Sequence, residues 1–179
     1  MPTRRLSFLL LDANIIIKLC ELRLWDKIVR SCDIHVGKTV IREARFFEDE
    51  DGNRVDIDLT SDIDAIRITL FEVDLAETTK FRNRFDQPYL EKLDPGETEA
   101  LVRLQSLPKD SQLCSADAIV FKVLAGLGRD DQGLSLEELL NKVGMSRKLE
   151  WAFCRKFREK YSKDGHVEAI QGRGLKPSS

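Results

Sequence analysis

Short apolar runs that end in a polar residue recur along the chain and predict β-strands. Leu6–Leu11 is apolar apart from Ser7 and runs directly into Asp12, as is typical of a strand buried on both faces of a parallel sheet. Asp12 is therefore expected at the carboxyl end of the first strand. Further strand candidates are 34–36, 66–73 and 112–115.

Segments with apolar residues at helical spacing lie between these strands. They predict helices over 15–29, over 39–47, over 77–85 and over 117–127. Another helix should begin at Pro95, because Asp94 can cap it and Glu97 falls in its first turn. Strands that alternate with helices in this way predict an α/β sandwich with a mainly parallel sheet.

The segment 48–64 is rich in acids and contains a Gly-Asn turn with apolar residues at alternate positions. This pattern is compatible with a solvent-facing hairpin arm or with a mobile loop. At its end, a helical start at Asp62 is the alternative to a strand that begins near Ile66.

Beyond Gly128 the pattern predicts helices only. Residues 135–138 have the sequence of a capping box, and Ser146 is expected to cap a second helix that reaches Tyr161. From Lys163 onward Gly, Lys, Pro and Ser are frequent, which predicts a frayed end. The predicted organisation is a main domain over 1–130, a helical extension over 131–163 packed on it, and a flexible tail over 164–179.

The composition is that of one ordinary domain. The 179 residues include 29 Lys and Arg against 31 Asp and Glu, for a net charge of −2, and this length allows one compact core but not two large domains. The apolar runs are shorter than the ~18 residues that span a bilayer, so no membrane segment is expected. No secretory leader is expected either, and the predicted location is cytoplasmic.

Carboxylates follow two of the predicted strands and suggest a ligand site. Asp12 and Asp117 each closely follow a short apolar strand, and ligands bind at the carboxyl ends of parallel strands. Glu43 and Glu97, on early turns of helices, could join them. Clustered carboxylates favour Mg²⁺ or Mn²⁺. The alternative is that each acid only complements a helix dipole.

Four motifs together resemble the PIN-domain nucleases, especially the branch with a Pro-Gly-Glu helix. They are LLLDANIII at 9–17, TVIREA at 39–44, LDPGETEAL at 93–101 and QLCSADAIVFKVLAGLG at 112–128. The resemblance covers about residues 6–128 and implies a three-layer α/β/α fold. It also implies a metal-dependent endoribonuclease, a hydrolase in which four acids hold one or two Mg²⁺ or Mn²⁺ ions.

By the matching motifs, the resemblance assigns the catalytic and metal-ligating roles to four acids, namely Asp12, Glu43, Glu97 and Asp117. Asn14 and Ser115 match small polar positions that support the metal ligands. Glu99 or Asp94 is an alternative to Glu97. The chain departs from the family pattern at Ala13, where a hydroxyl residue is usual.

RNA needs a basic surface, since an acidic cluster repels a phosphate backbone. The candidates lie in the helical extension and are Arg147, Lys148, Arg155, Lys156 and Arg158, with aromatic residues interleaved for stacking. The alternative is an amphipathic helix whose aromatic residues pack on the core and whose charges are solvated. The 136–146 segment resembles a helix-turn-helix, but sequence-specific DNA binding is not predicted.

Two functions from different classes follow from these observations. The first is a ribonuclease, in the family's usual role as the toxin of a toxin–antitoxin pair, with RNA, an antitoxin protein and a second copy of the chain as partners. The second is a catalytically silent PIN-like module that binds RNA or a protein. A phosphotransfer enzyme with Asp12 as nucleophile is disfavoured, because Asn14 stands where a second aspartate is needed.

Overall fold

The computed structural model describes residues 6–177 as an α/β protein with a five-stranded, all-parallel central sheet. The strand order is β5-β2-β1-β6-β7, and a separate antiparallel pair is formed by β3 and β4. The strands are β1 Leu6–Leu11, β2 Cys32–Gly37, β3 Phe46–Glu48, β4 Arg54–Asp56, β5 Ile68–Phe71, β6 Gln112–Cys114 and β7 Gly133–Leu134. Residues 1–5 of the predicted main domain and residues 178–179 of the predicted tail lie outside the described residues.

Helices connect the parallel strands and cover both faces of the sheet. Those of the first half are α1 Ala13–Glu21, α2 Trp25–Ser31, α3 Lys38–Glu43, α4 Thr60–Asp64 and α5 Leu75–Arg82. Those of the second half are α6 Gln87–Leu90, α7 Pro95–Gln105, α8 Ala118–Gly126, α9 Leu136–Lys142 and α10 Arg155–Ile170. No helix within residues 6–177 is both long and apolar enough to cross a membrane.

The alternation of side chains along β1 produces two hydrophobic layers. Leu9 and Leu11 face one layer, which also contains buried residues of α1, α2 and α9. Leu10 faces the other layer, together with buried residues of α5, α7 and α8. Successive residues of a strand point to opposite faces, so this central strand is buried on both sides. The predicted three-layer α/β/α sandwich is confirmed.

Several boundaries in the first half differ from the prediction. The helix predicted over 15–29 is two helices, because Arg23 adopts a left-handed φ of 56° and the amides of Arg23 and Leu24 bond back to the carbonyls of Cys20 and Leu19. This is a Schellman helix ending. The helix predicted over 39–47 ends at Glu43.

The acidic segment forms a hairpin and then a helix. Strands β3 and β4 pair around the turn at Gly52, as the hairpin alternative predicted. Helix α4 follows, and its Asp62 is buried between the indole of Trp25, which donates at 2.8 Å, and Arg67, which donates at 2.6 Å. The helical alternative near Asp62 was therefore the correct one, and the strand begins later, at Ile68.

The C-terminal part of the structure differs most from the prediction. A strand, β7, lies beyond Gly128 and pairs with β6, so the prediction of helices only was wrong. Ser146 does not begin a helix; α10 starts at Arg155 and continues to Ile170. The tail predicted from residue 164 is thus helical at first. Beyond α10, Asp86 and Gly174 exchange hydrogen bonds of 2.8 and 2.7 Å, which ties the end of the described chain to α6.

Candidate functional site

Asp12 and Ser115 are side by side because their strands are neighbours in register. Leu11 is the Cα partner of Cys114, so the next residues of the two strands emerge together at the carboxyl edge of the sheet. Asp12 is buried, with 5% of its surface exposed. Its Oδ1 accepts a hydrogen bond from the Ala13 amide at 2.7 Å, and its Oδ2 accepts one from Ser115 Oγ at 3.3 Å.

The Ser115 hydroxyl also holds the start of α8. Its Oγ accepts a hydrogen bond from the Asp117 amide at 3.1 Å. Asp117 Oδ1 in turn accepts from the Ile119 amide at 3.0 Å, as the N-cap of α8. One buried hydroxyl therefore fixes both strand-end aspartates, and Asp117 itself remains partly exposed.

The Pro-Gly-Glu turn places two further acids at the same edge. Asp94 Oδ1 accepts from the Glu97 amide at 2.7 Å, and Glu97 Oε2 accepts from the Asp94 amide at 3.1 Å. The sequence predicted Asp94 as the helix cap, and the structure shows a full capping box. Glu97 is buried and Asp94 is exposed. Burial, followed by the charges of Asp117, Asp94 and Asp12, holds the pKa of Glu97 well above its usual value.

Glu43 lies on the other side of the α7 turn. A Cβ built on Gly96 would fall 2.8 Å from Glu43 Oε2. The Glu43 carboxylate can therefore lie against the α7 turn because position 96 has no side chain. Burial and the charges of Asp94 and Glu99 raise the pKa of Glu43. Glu99 is itself engaged, because its Oε2 accepts from the Thr39 amide at 3.0 Å and caps the first turn of α3.

The charge of Asp94 acts on three of these acids. Burial first, and then the charges of Asp94 and, more weakly, Asp117, raise the pKa of Asp12 to about 7. The same Asp94 charge raises the pKa of both Glu97 and Glu43. The sequence indicated Asp94 as a helix cap and only as an alternative to Glu97; its position as the shared neighbour depends on the packing of α3 and α7 beside β1.

The donor set fits a hard divalent cation that keeps part of its water shell. Asp12 and Glu97 are buried and also feel the charges of Asp94 and Asp117, and a cation would offset both penalties. As the side chains stand, no three His, Cys, Asp or Glu residues within 6–177 are arranged to hold one ion together. Mg²⁺ is commonly bound through one or two carboxylates with several waters, and Asp12 with Asp117 could provide such a pair.

Two cavities open beside this edge. One, of about 280 Å³, is lined by Asn14, Lys18, Ala116 and Phe153 among others. It contains the exposed Asn14 predicted to support the site. The other, of about 400 Å³, is lined by Asp117, Lys92, Lys122 and Tyr161 among others. Lys92 was not singled out from the sequence, because a lone lysine before a helix carries no signal.

Among the predicted RNA-binding residues, the three arginines bond to other protein groups and the two lysines are exposed. Arg158 forms a two-pronged ion pair with Glu138, with both N–O distances at 2.7 Å. Arg155 Nε donates to Glu159 at 2.6 Å, and Arg147 donates to the Ser146 carbonyl at 2.8 Å. Lys148 and Lys156 are exposed.

The aromatic residues of the extension cluster around Phe157, although Trp151 remains 52% exposed. Phe157 is buried and makes edge contacts with Phe121, Trp151 and Tyr161 at centroid distances of 6.2, 6.0 and 4.6 Å. This part of α10 matches the amphipathic alternative. Tyr161 is partly buried and borders the cavity beside Asp117.

Comparisons with protein-family models, with curated proteins and with solved structures found no match for this chain.

Proposed function

We propose that this protein is a Mg²⁺- or Mn²⁺-dependent ribonuclease that hydrolyses phosphodiester bonds at the edge where Asp12 and Asp117 meet. The observation that carries the proposal is the hydrogen-bonded connection from Asp12 through Ser115 to Asp117. It holds a buried carboxylate and a partly exposed one at the carboxyl ends of adjacent parallel strands, where such folds bind ligands.

Each residue then has a distinct task. Asp12 and Asp117 would hold the cation. Ser115 orients the Asp12 carboxylate and holds the Asp117 backbone amide. When bound, the metal would polarise the scissile phosphate and lower the pKa of a water molecule. Glu97 Oε2 accepts the Asp94 amide, so Glu97 Oε1 is the oxygen that can hold a proton released during hydrolysis. Because its pKa is raised to about 9 without metal, Glu97 holds a proton at neutral pH, and it would become an acceptor once a bound cation lowered that pKa.

The roles of toxin partner and homodimer are narrower proposals. They rest on the motif resemblance at 9–17, 39–44, 93–101 and 112–128. An antitoxin would act by covering the acidic edge. Adding it to this protein should therefore abolish RNA cleavage.

The test compares cleavage of mixed single-stranded and structured RNA by the wild type, Asp12→Asn and Asp117→Asn, with Mg²⁺ or Mn²⁺. Asp110→Asn is a matched control, because Asp110 is exposed and precedes β6 at the opposite end of the strand from Asp117. We expect both site variants to lose cleavage, Asp110→Asn to retain it, and a chelator to abolish it.

A wild type that binds RNA without cutting it would overturn the nuclease proposal in favour of a silent binding module. Equal cleavage by all four proteins, or cleavage that persists in excess chelator, would also contradict it. Circular dichroism must first establish that the four proteins are equally folded.

A further inference from the structure

The cavity beside Asp117 is built by three separate parts of the chain. Lys92 comes from the turn before α7, Asp117 and Lys122 from the N-cap and the middle of α8, and Tyr161 from α10. Its volume of about 400 Å³ is within the range of roughly 300–1,000 Å³ found for small-ligand sites. Because Asp117 is one of its walls, anything bound there lies next to the proposed cleavage site.

The cavity has one cation that is available to a ligand. Lys122 Nζ is already paired with Glu168 at 2.6 Å, and the same Glu168 accepts a hydrogen bond from Tyr89 at 2.6 Å. In contrast, Lys92 is exposed, and within residues 6–177 its ammonium group has no ion pair or hydrogen bond. An anionic group entering the cavity would therefore meet Lys92 without breaking an existing contact.

The cavity also has an aromatic wall that is held in place. The Tyr161 ring packs against the buried Phe157 at a centroid distance of 4.6 Å, and α10 is pressed onto α8 because Gly165 lies against the Lys122 backbone. The ring is thus fixed by the core and is partly accessible, with the ammonium groups of Lys160 and Lys122 4.3 and 6.0 Å from its centroid. A fixed, accessible aromatic ring beside a cation is suited to a nucleobase with its phosphate.

The second cavity is less suited to this task. Its cation, Lys18, is engaged with Glu21 at 2.9 Å and with Glu150 at 2.6 Å. A phosphate would have to compete with two carboxylates there. The difference between the two cavities favours the one that contains Lys92 and Tyr161.

We infer that the Lys92–Tyr161 cavity binds one nucleotide of a single-stranded RNA adjacent to the scissile phosphate, with the base stacked on Tyr161 and a backbone phosphate on Lys92. The inference rests on the proposed ribonuclease function and extends it to the substrate class. A single strand is required because a base inside a duplex cannot leave its neighbours to stack on the protein. The helical extension is then part of the substrate site through Tyr161.

The experiment measures the affinity of a short fluorescein-labelled single-stranded RNA by anisotropy with Mg²⁺. It uses the Asp12→Asn background so that binding is read without cleavage. Tyr161→Leu and Lys92→Gln are compared with Tyr161→Phe and with Lys109→Gln, an exposed lysine elsewhere on the surface. A second RNA carries 2-aminopurine, whose fluorescence is quenched when the base stacks.

We expect Tyr161→Leu to weaken binding about tenfold, which is typical of a lost base–aromatic stack, and to abolish the quenching. Tyr161→Phe should keep both. Lys92→Gln should reduce the slope of log affinity against log salt by about 0.7, the value for one phosphate contact on a single strand. Lys109→Gln should leave affinity and slope unchanged.

The outcomes separate this inference from the ribonuclease proposal. If the wild type cuts RNA but Tyr161→Leu and Lys92→Gln bind as tightly as Lys109→Gln, the cavity inference is overturned and the nuclease stands. If binding and quenching depend on Tyr161 while the wild type does not cut, the cavity inference is supported and the nuclease proposal fails. If the protein binds no RNA, both are overturned.

Discussion

Ser115 Oγ donates a 3.3 Å hydrogen bond to Asp12 Oδ2, although the two residues are 103 positions apart in the chain. The contact exists because β1 and β6 are adjacent and parallel, with Leu11 opposite Cys114. The same hydroxyl accepts the Asp117 amide. The arrangement of the proposed site therefore depends on a side chain that need not touch the substrate.

Ser115→Ala is expected to lower RNA cleavage about ten- to hundredfold, as is typical when a group that orients metal ligands is removed. The hydrogen bond from Ser115 lowers the pKa of Asp12 and opposes the larger effect of burial. Its loss should therefore move the acidic limb of the pH–rate profile to higher pH. The measurement is kcat/KM across the pH range.

Ser111→Ala is the matched control for this variant. Ser111 is also fully buried and precedes β6 at its other end, but within residues 6–177 its hydroxyl has no hydrogen-bond partner. Replacing an unsatisfied buried hydroxyl should be neutral or stabilising. A loss of cleavage in Ser111→Ala equal to that in Ser115→Ala would show that general packing, rather than orientation of the aspartates, is responsible.

Asp12→Asn should stabilise the metal-free protein at alkaline pH. Burial raises the pKa of Asp12 from 3.8 to about 7, so between these values the folded state binds more protons than the unfolded state. The free energy of unfolding of the wild type then falls as pH rises through this window. From pH 5 to pH 8 the loss from this one group is about 2–3 kcal/mol.

Urea denaturation of Asp12→Asn and the wild type, at both pH values and in chelator, measures this effect. The stability of the variant relative to the wild type should increase by that amount from pH 5 to pH 8, since other titrating groups largely cancel in the difference. Asp110→Asn should show no such change. A relative stability that is independent of pH would mean that Asp12 ionises normally in the folded protein.

Local signals account for the parts of the fold that the sequence predicted well. Leu6–Leu11 is apolar apart from Ser7 and runs directly into an acid, and it forms the central strand with Asp12 at its carboxyl end. The helix starts at Asp94 and Ser135 are both capping boxes in the structure. In each case the residues that determine the feature are within a few positions of one another.

The features that were missed depend on residues far apart in the chain. Strand β7 is two residues long and exists through its pairing with β6. Helix α10 begins at Arg155, whose amide donates at 2.6 Å to Glu137 of α9. Tyr161 becomes a neighbour of Asp117 because α10 packs on α8, and Lys92 does so because the turn before α7 lies beside the start of α8. No short pattern encodes such contacts.

Arg158→Gln should lower stability without changing the salt dependence of RNA binding. Burial is the largest single effect on the pKa of Glu138 and raises it. The hydrogen bonds from Arg158 and Ser135 together outweigh burial, so the pKa of Glu138 is lowered. Removing the guanidinium leaves the half-buried Glu138 with a longer contact to Arg155 Nε at 3.9 Å and should cost about 1–3 kcal/mol. Urea denaturation and the salt slope of RNA affinity are the two measurements.

Lys156→Gln is the control, because Lys156 is exposed on the same helix; its stability should match the wild type. If Arg158→Gln reduces the salt slope by one phosphate contact while its stability is unchanged, Arg158 binds RNA as the sequence suggested and the ion pair with Glu138 is not structural.

Gly165→Ala should destabilise the protein, although alanine is usually the better residue within a helix. Gly165 is in α10, and a Cβ there would lie 2.6 Å from the Lys122 carbonyl oxygen and 3.0 Å from the Ala125 Cβ. Helices α8 and α10 would have to separate, at a cost of about 1–3 kcal/mol.

Gly126→Ala, in α8 and with nothing within 4 Å of the added Cβ, should instead be neutral or stabilising by about 0.5–1 kcal/mol. Because Tyr161 reaches its cavity through α10, Gly165→Ala should also weaken binding of single-stranded RNA, and Gly126→Ala should not. Equal stability of the two variants would mean that α10 does not pack closely on α8 in solution.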